Sequence, residues 1–283
     1  MSVEEFDLAD RDFERVKSIV RDAAGISLSD AKRTLVISRL SRVVREKEFS
    51  GFKPYLDFLQ HAANPADLQT FVNALTTNLT RFFREDHHFD HLVEWIGMEI
   101  RGSSRASRKR LRIWSAGCST GQEAYTIALA LLDAFPDLAR WDFRILATDI
   151  DTNVLKKAKE GIYSTTEIEA LSPQRKALFE PAGEGLIRIP EKARALVSFR
   201  PLNLFAPWPM KGRFDAIFCR NVAIYFDKAT QQELFARFSG QLAPDGHLYI
   251  GHSENLGAAS GDYRAVGKTI YRKNPHSVSR TAA

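Results

Sequence analysis

The sequence predicts an α/β protein: a mostly parallel sheet with helices on both faces, behind an all-helical N-terminal unit and carrying a small antiparallel β insertion. Three observations predict it. Residues 8 to 75 show helical spacing of apolar residues and no strand-like alternation. From Leu111 onward strand-like runs alternate with helix-like ones. The stretch 163 to 200 then breaks that alternation with short strand-like pieces around a Gly-rich turn.

Each element has a local cause. Phe13, Val16, Ile19 and Val20 recur at helical spacing, and Gly25 ends the pattern. Ser29 or Asp30 can cap the next helix, AKRTLVISRLSRVVREKE, whose apolar stripe is Val36, Leu40, Val43 and Val44. Arg39, Arg42 and Arg45 project from its other side. A third helix follows Pro54, and a fourth, entered through Asn64-Pro65, lies between Asp67 and Leu75. LRIWSAG reads as a strand, QEAYTIALALLDAF as a helix, FRILATDI as a second strand and TNVLKKAKEG as its helix. FDAIFCRNVAIYF holds a further strand, followed by the helix KATQQELFARFSGQL, the turn APDG, and the strands HLYIGHS and KTIYRK. GEGLIRIP and ALVSFRPL are assigned to the insertion. The expected domains are 1–76, helical; 77–90, an interdomain segment; and 91–283, the α/β unit with its insertion at about 163–200.

Composition narrows the class. The 283 residues are 44% hydrophobic and 27% charged, which is ordinary for a globular protein. No apolar run approaches the roughly 20 residues of a membrane span, and the acidic start MSVEEFDLADRDFE lacks the layout of a signal peptide. Cys118 and Cys219 are too few for a disulfide framework or a cysteine-based zinc site. A cytoplasmic protein without membrane insertion is expected. The net charge of +5 is uneven: basic runs occupy residues 32 to 47 and 101 to 112. Such runs suit nucleic acid, lipid headgroups or an acidic protein surface, and by default are solvated faces.

The strongest local motif is IWSAGCSTGQEAY, a strand ending at Gly117, a Gly-containing turn and a helix opening near Gln122. Glycines there let the backbone approach a ligand, and the helix start offers unpaired N–H groups. It is neither the G-x-G-x-x-G of dinucleotide enzymes nor a P-loop. ATDID places Asp149 at the end of the next strand, where an acid can accept both ribose hydroxyls of an adenosine; Asp151 caps the following helix. Turn and acid together favour a nucleoside cofactor without saying which. Gly117 to Gly121 also matches the G-x-S-x-G nucleophile elbow, with Ser119 as nucleophile and His247 or His252 as base. The helical texture before it and the lack of a His-Gly-Gly segment argue against a hydrolase. His87 and His91 stand one helical turn apart, but capping or core roles suit them better than a metal.

Five segments then carry a resemblance: TTNLTRFFRED from Thr76, WSAGCSTGQEAY from Trp114, ATDID from Ala147, FDAIFCRNVAIYFDK from Phe214 and GHSEN from Gly251. In order and over nearly the whole chain, they resemble the signature segments of the chemotaxis receptor methyltransferases, the CheR family of protein-glutamate O-methyltransferases. The resemblance implies a class I S-adenosylmethionine-dependent methyltransferase sheet. It also implies that the substrates are glutamates on the cytoplasmic helical domains of chemoreceptors, with S-adenosylhomocysteine and a methyl ester as products.

By the same resemblance Asn78, Thr80 and Arg84 contact the cofactor from the interdomain segment, and the turn at Gly117, as its motif already suggests, lies along the cofactor. Glu123 holds the methionyl amino group, and Asp149 the ribose. Asn203 and Leu204 sit at the adenine, while Arg220 and Asn221 close the pocket. Arg84 and Tyr225 orient the receptor carboxylate. Each has a structural competitor: Thr80 as the cap of a helix starting at Arg81, Glu123 as a first-turn acid, Tyr225 as core. Arg39, Arg42 and Arg45 suit docking of Glu-rich receptor helices. The short turn from Pro181 to Pro190 argues against binding a C-terminal receptor peptide. CRNVAIYF, in place of an Asn/Asp-Pro-Pro-aromatic motif, argues against a nucleic-acid methyltransferase. A catalytically idle S-adenosylmethionine-binding module is the other alternative, and the presence of Arg84 and Tyr225 argues against it. A monomer is expected.

Overall fold

The computed structural model describes residues 6–102 and 109–275, so half of the basic run 101–112, residues 103–108, lies outside it. The N-terminal unit comprises α1 (Asp10–Ala24), α2 (Arg33–Glu46), α3 (Phe52–His61) and α4 (Pro65–Leu75). Helix α1 buries Phe13, Val16 and Val20 and ends at Gly25, whose φ of +69° closes the helix onto the carbonyl of Arg21. The stripe Val36, Leu40, Val43 and Val44 of α2 is buried as its spacing requires. Helix α3 starts at Phe52, two residues before Pro54; a proline in the first turn leaves no hydrogen bond unmade. Asn64 caps α4 by accepting from Ala66 and Asp67 N–H, and the backbone N–H of Asn64 in turn donates to the Asp67 carboxylate.

No helix begins at Arg81. Residues 76–81 run without regular structure, 82–86 form turns with Phe83 and Glu85 at positive φ, and α5 (His87–Gly102) follows. Then come β1 (Arg110–Ala116), α6 (Gln122–Ala134), β2 (Asp142–Asp149) and α7 (Thr152–Glu160). The small sheet is built from β3 (Ile162–Ser164), β4 (Glu180–Pro181) and β5 (Leu186–Arg188), in the antiparallel order β3-β5-β4. The chain continues through β6 (Val197–Pro201), β7 (Phe214–Cys219), α8 (Lys228–Gln241, after two single-turn helices within the insertion), β8 (Leu242–Ile250), β9 (Tyr263–Gly267) and β10 (Ile270–Lys273).

The main sheet has the order β6-β2-β1-β7-β8-β10-β9, parallel from β6 to β8 and antiparallel at β10 and β9. Three readings of the sequence are corrected. ALVSFRPL belongs to the main sheet: Val197 to Pro201 pair in parallel with Ile145 to Asp149, with Phe199 packed 5.4 Å from the ring of Tyr125. APDG is absorbed into an irregular start of β8, where Asp245 takes φ +62° and the pairing with β7 shifts register. The terminal strand is one arm of a hairpin, because Tyr263 to Gly267 pair with β10.

Two apolar cores flank the sheet. One joins α5 and α6 to the inner face of the insertion. The other runs from the N-terminal helices through Trp114, Ile217 and Ile250 to Phe235 and Phe238 of α8. The helical unit is thus packed on the α/β unit and shares its core.

Candidate functional site

The chain reverses direction across the sheet between β1 and β7, so β2 lies on one side of β1 and β7 on the other; ligands of open α/β sheets bind at such switch points. Here a cleft of about 660 Å³ opens at the C-terminal ends of β1, β2 and β7. Its walls include Asn78, Thr80 and Arg84 from the interdomain segment, and Gly117 and Glu123 from the turn after β1 and the start of α6. Asp149 ends β2, Asn203 and Leu204 follow β6, and Arg220, Asn221 and Tyr225 follow β7. Every cofactor and catalytic residue named from the sequence therefore faces one cavity.

The turn after β1 is tight. Gly117 and Cys118 N–H both donate to the carbonyl of Thr148, and Gly117 has φ +81°. A Cβ at Gly117 would meet Val222 Cγ2 at 2.3 Å, so only glycine lets the turn pass beneath the β7 loop.

Asp149 is 7% exposed. Its Oδ2 accepts the N–H of Ser119 at 2.8 Å and its Oδ1 that of Asp151 at 2.9 Å, and a carboxylate with about four acceptor sites keeps capacity for a further donor. Burial pushes its pKa up to about 6 against the opposing pull of those N–H groups. Asp151 caps α7 with Oδ1, as expected, and with Oδ2 accepts from Thr76 Oγ1 at 2.7 Å and Asn78 Nδ2 at 2.8 Å. That grip ties Thr76 and Asn78, both in the cleft wall, to the start of α7.

Glu123 lies on the floor, accepting from Ser115 Oγ at 2.7 Å and from Arg220 Nη1 at 3.0 Å. Burial raises its pKa, and Arg220 and Ser115 oppose the rise. Arg220 also stands 3.4 Å from Glu85 Oε2 and donates to the carbonyl of Arg84. Glu85 in turn pairs with His252 at 2.8 Å; burial would raise its pKa, but His252 and Arg220 outweigh that and lower it. The neighbouring His88 is fully buried and, through desolvation and the charge of Arg220, has a pKa lowered to about 3, so it is neutral.

Asn203 is partly committed elsewhere. Its Nδ2 donates to Ala23 O at 2.8 Å and its Oδ1 accepts from Phe205 N, stitching the helical unit to the cleft wall. Arg84 Nη1 donates to Leu79 O at 3.0 Å. Tyr225 is half-buried, and its carbonyl accepts from Ser27 N at 2.8 Å.

The α2 arginines stand apart from this cavity and from one another's environment. Arg42 and Arg45 are exposed, Arg42 paired with Glu46 and Arg45 over the ring of Phe6. Arg39 departs from the expected row: its guanidinium donates to the carbonyls of Leu75 and Thr76 at the end of α4. Those carbonyls have no partner within the helix, so a nearby cation is drawn to them. The remaining motifs resolve into local roles. The Ser119 hydroxyl donates to Asn78 O, His252 pairs with Glu85, and His247 packs 4.3 Å from Trp95. His87 and His91 turn to Lys268 O and Tyr249 Oη respectively.

Sequence reasoning missed two contributors. Ile26, Ser27 and Lys32, between α1 and α2, also wall the cleft, and no local motif marks them. Glu254 accepts N–H from Gly251, Asn221, Val222 and Ala223, so one buried carboxylate holds the loop that carries Asn221 and Tyr225. The GHSEN segment contained that signal without showing its partner.

Comparison with known proteins bears on the family of the chain. Residues 11–76 match the family model "CheR methyltransferase, all-alpha domain", and residues 78–272 match "CheR methyltransferase, SAM binding domain". A probable chemotaxis protein methyltransferase of Rhizobium etli is 45% identical, covering 92% of this chain and 98% of that protein. The chemotaxis protein methyltransferase of Salmonella typhimurium is 43% identical over 93% of this chain and 90% of its own length. Chemotaxis protein methyltransferase 2 of Pseudomonas aeruginosa is 43% identical over 95% of both. The chain belongs to the CheR methyltransferase family, an enzyme whose α/β unit is the S-adenosylmethionine-binding domain.

Proposed function

We propose that this chain methylates glutamate side-chain carboxylates on the cytoplasmic helical domains of chemoreceptors, releasing glutamate methyl esters and S-adenosylhomocysteine. The observation that carries the reading is the convergence of the interdomain segment, the β1 turn, the ends of β2 and β7 and the α1–α2 connection on one cleft. The site fits S-adenosylmethionine on its own terms. A glycine turn admits close approach, the buried carboxylate of Asp149 would take the ribose hydroxyls, and the buried carboxylate of Glu123 would take the ammonium. Leu204 and Phe205 supply an apolar wall for a purine.

Bound there, the cofactor supplies an electrophilic methyl group on a positively charged sulfur. In this reading Glu123, oriented by Ser115 and Arg220, binds the amino group, and Asp149 binds the ribose hydroxyls. Asn78, Thr80, Arg84 and Gly117 enclose the cofactor from the linker and turn. Asn203, Leu204 and Asn221 complete the wall. The accepting glutamate has an ordinary pKa of about 4.3 and is already ionised at pH 7, so no general base is needed. Arg84 fixes the geometry of the carboxylate, and Tyr225 lines or hydrogen-bonds the reacting centre. Orientation of this kind supplies up to ~7–11 kcal/mol of barrier lowering, together with exclusion of water.

The helical domain, residues 1–76, serves as the docking unit through Arg42 and Arg45, with Arg39 bracing α4. The small sheet has strands of three, two and three residues and offers little edge for an added peptide strand, so no C-terminal receptor tether is part of the reading. No described helix is long and apolar enough to cross a membrane. We place the enzyme in the cytoplasm, acting as a monomer.

The test is transfer of labelled methyl to a panel of chemoreceptor signalling domains, with RNA and DNA in parallel. Base-labile label on receptor supports carboxyl methylation. Base-stable label on nucleic acid would replace the substrate, and cofactor binding without transfer to any of them would indicate an idle module.

A further inference from the structure

The mouth of the cleft carries two features that cofactor binding leaves unexplained. Leu79 is 82% exposed and Ile224 is 43% exposed, and both belong to the wall of the same cleft. A single exposed aliphatic residue needs no explanation, but apolar side chains gathered around a polar-floored opening mark a contact surface.

Neither is exposed through loose backbone. Beside Leu79, the Asn78 carbonyl accepts from Ser119 Oγ at 2.8 Å and the Asn78 amide grips Asp151 at 2.8 Å. The carbonyl of Leu79 itself accepts from Arg84 at 3.0 Å. Beside Ile224, Ala223 N–H donates to Glu254 at 2.7 Å, and the carbonyl of Tyr225 accepts from Ser27 at 2.8 Å. Both backbones are pinned from two sides, and their side chains are held out toward solvent.

The charge at the mouth selects the occupant. Lys32 and Arg81 are exposed there and Arg84 is half-buried, whereas the acids of the cleft, Glu123 and Asp149, are buried on its floor. A cationic rim with an aliphatic pair suits an acidic protein segment with an apolar side chain beside the carboxylate that enters.

We infer that Leu79 and Ile224 form an apolar lip that reads the side chain flanking the accepting carboxylate on an acidic protein substrate. The inference rests on the carboxyl-methylation reading above and adds to it a determinant of which carboxylates are accepted. The lip acts on substrate binding, whereas Asp149 and Glu123, which would hold the cofactor, are buried deeper in the cleft.

The experiment measures methyl transfer to a receptor signalling domain by the full chain and by Leu79→Ser, Ile224→Ser and the conservative Leu79→Met and Ile224→Val. Cofactor affinity is measured calorimetrically, and folding is checked by thermal melting. Loss of one buried aliphatic contact is expected to raise KM for the receptor about tenfold in each serine variant, with the conservative variants restoring it. The cofactor Kd stays within about twofold. A receptor KM unchanged in folded serine variants would overturn the lip while leaving methylation intact. A parallel loss of cofactor affinity would also overturn it, making these residues cofactor wall. No transfer by the unmodified chain would overturn the methylation reading, and the lip with it.

Discussion

Arg220 and Glu123 form a buried ion pair on the cleft floor, with guanidinium Nη1 3.0 Å from carboxylate Oε2. Arg220 is also within 3.4 Å of Glu85, so a single guanidinium divides its charge between two acids from different segments. Removing one member of such a pair leaves the other charge buried and unmatched, at a cost of about 3–5 kcal/mol. Arg220→Met is therefore expected to lower stability in urea titrations by that amount. Glu123→Gln keeps the shape but removes the charge an ammonium would meet. It should weaken cofactor binding about tenfold to a hundredfold by calorimetry, the worth of one charge-assisted hydrogen bond.

Asp149 predicts the acid limb of cofactor binding. Its folded pKa of about 6 lies above the ordinary value of about 3.9, so the folded chain holds the proton more tightly than the unfolded one. Its contribution to stability consequently falls as pH rises between those two values and is constant above them. The ionised form accepts two hydroxyl donors better than the protonated form does. Cofactor affinity should therefore decline as pH drops through about 6, and Asp149→Asn should flatten that limb while lowering affinity at pH 7.5. Calorimetry from about pH 5 to pH 8 checks it.

Gly117 and Val222 make a two-residue test of the turn. Gly117→Ala forces a left-handed backbone on alanine, at about 1 kcal/mol or more, and drives its Cβ into Val222 Cγ2. Cofactor affinity should fall more than about tenfold. Adding Val222→Ala removes the clash and should recover part of it; an equal deficit in the double variant would locate the cost in φ alone.

Tyr225→Phe removes a hydroxyl from a side chain whose backbone is held by Ser27 and whose ring lines the cleft. Turnover is expected to fall more than cofactor affinity. Weakened binding with a normal rate would contradict the role given to the hydroxyl.

The α2 arginines should separate by assay. Arg39→Ala strips donors from the carbonyls of Leu75 and Thr76 and should cost about 1.5–3 kcal/mol of stability. Arg42→Ala and Arg45→Ala should leave the melting temperature in place and raise receptor KM in a manner that fades at high salt, because the effect is electrostatic and solvent-exposed.

What the sequence determined by itself is what local chemistry specifies. Helical spacing placed the buried faces of α1 and α2, Asn64-Pro65 announced α4, and the capping acid Asp151 opened α7. The glycine turn and Asp149 pointed to a nucleoside site without naming the cofactor, and the family resemblance supplied the rest of the cavity wall. Tertiary structure alone decided the sheet neighbour of Val197–Pro201, since a short alternating run pairs equally well with an insertion or a sheet edge until Phe199 finds Tyr125. It also decided the side on which Arg39 is used, the cleft wall from Ile26 to Lys32, and the service of Glu254 to Asn221, Val222 and Ala223. Each of these depends on a partner far along the chain. Periodicity and capping act over a few residues, whereas hydrogen-bond partners and packing neighbours at long range are chosen only when the two apolar cores close.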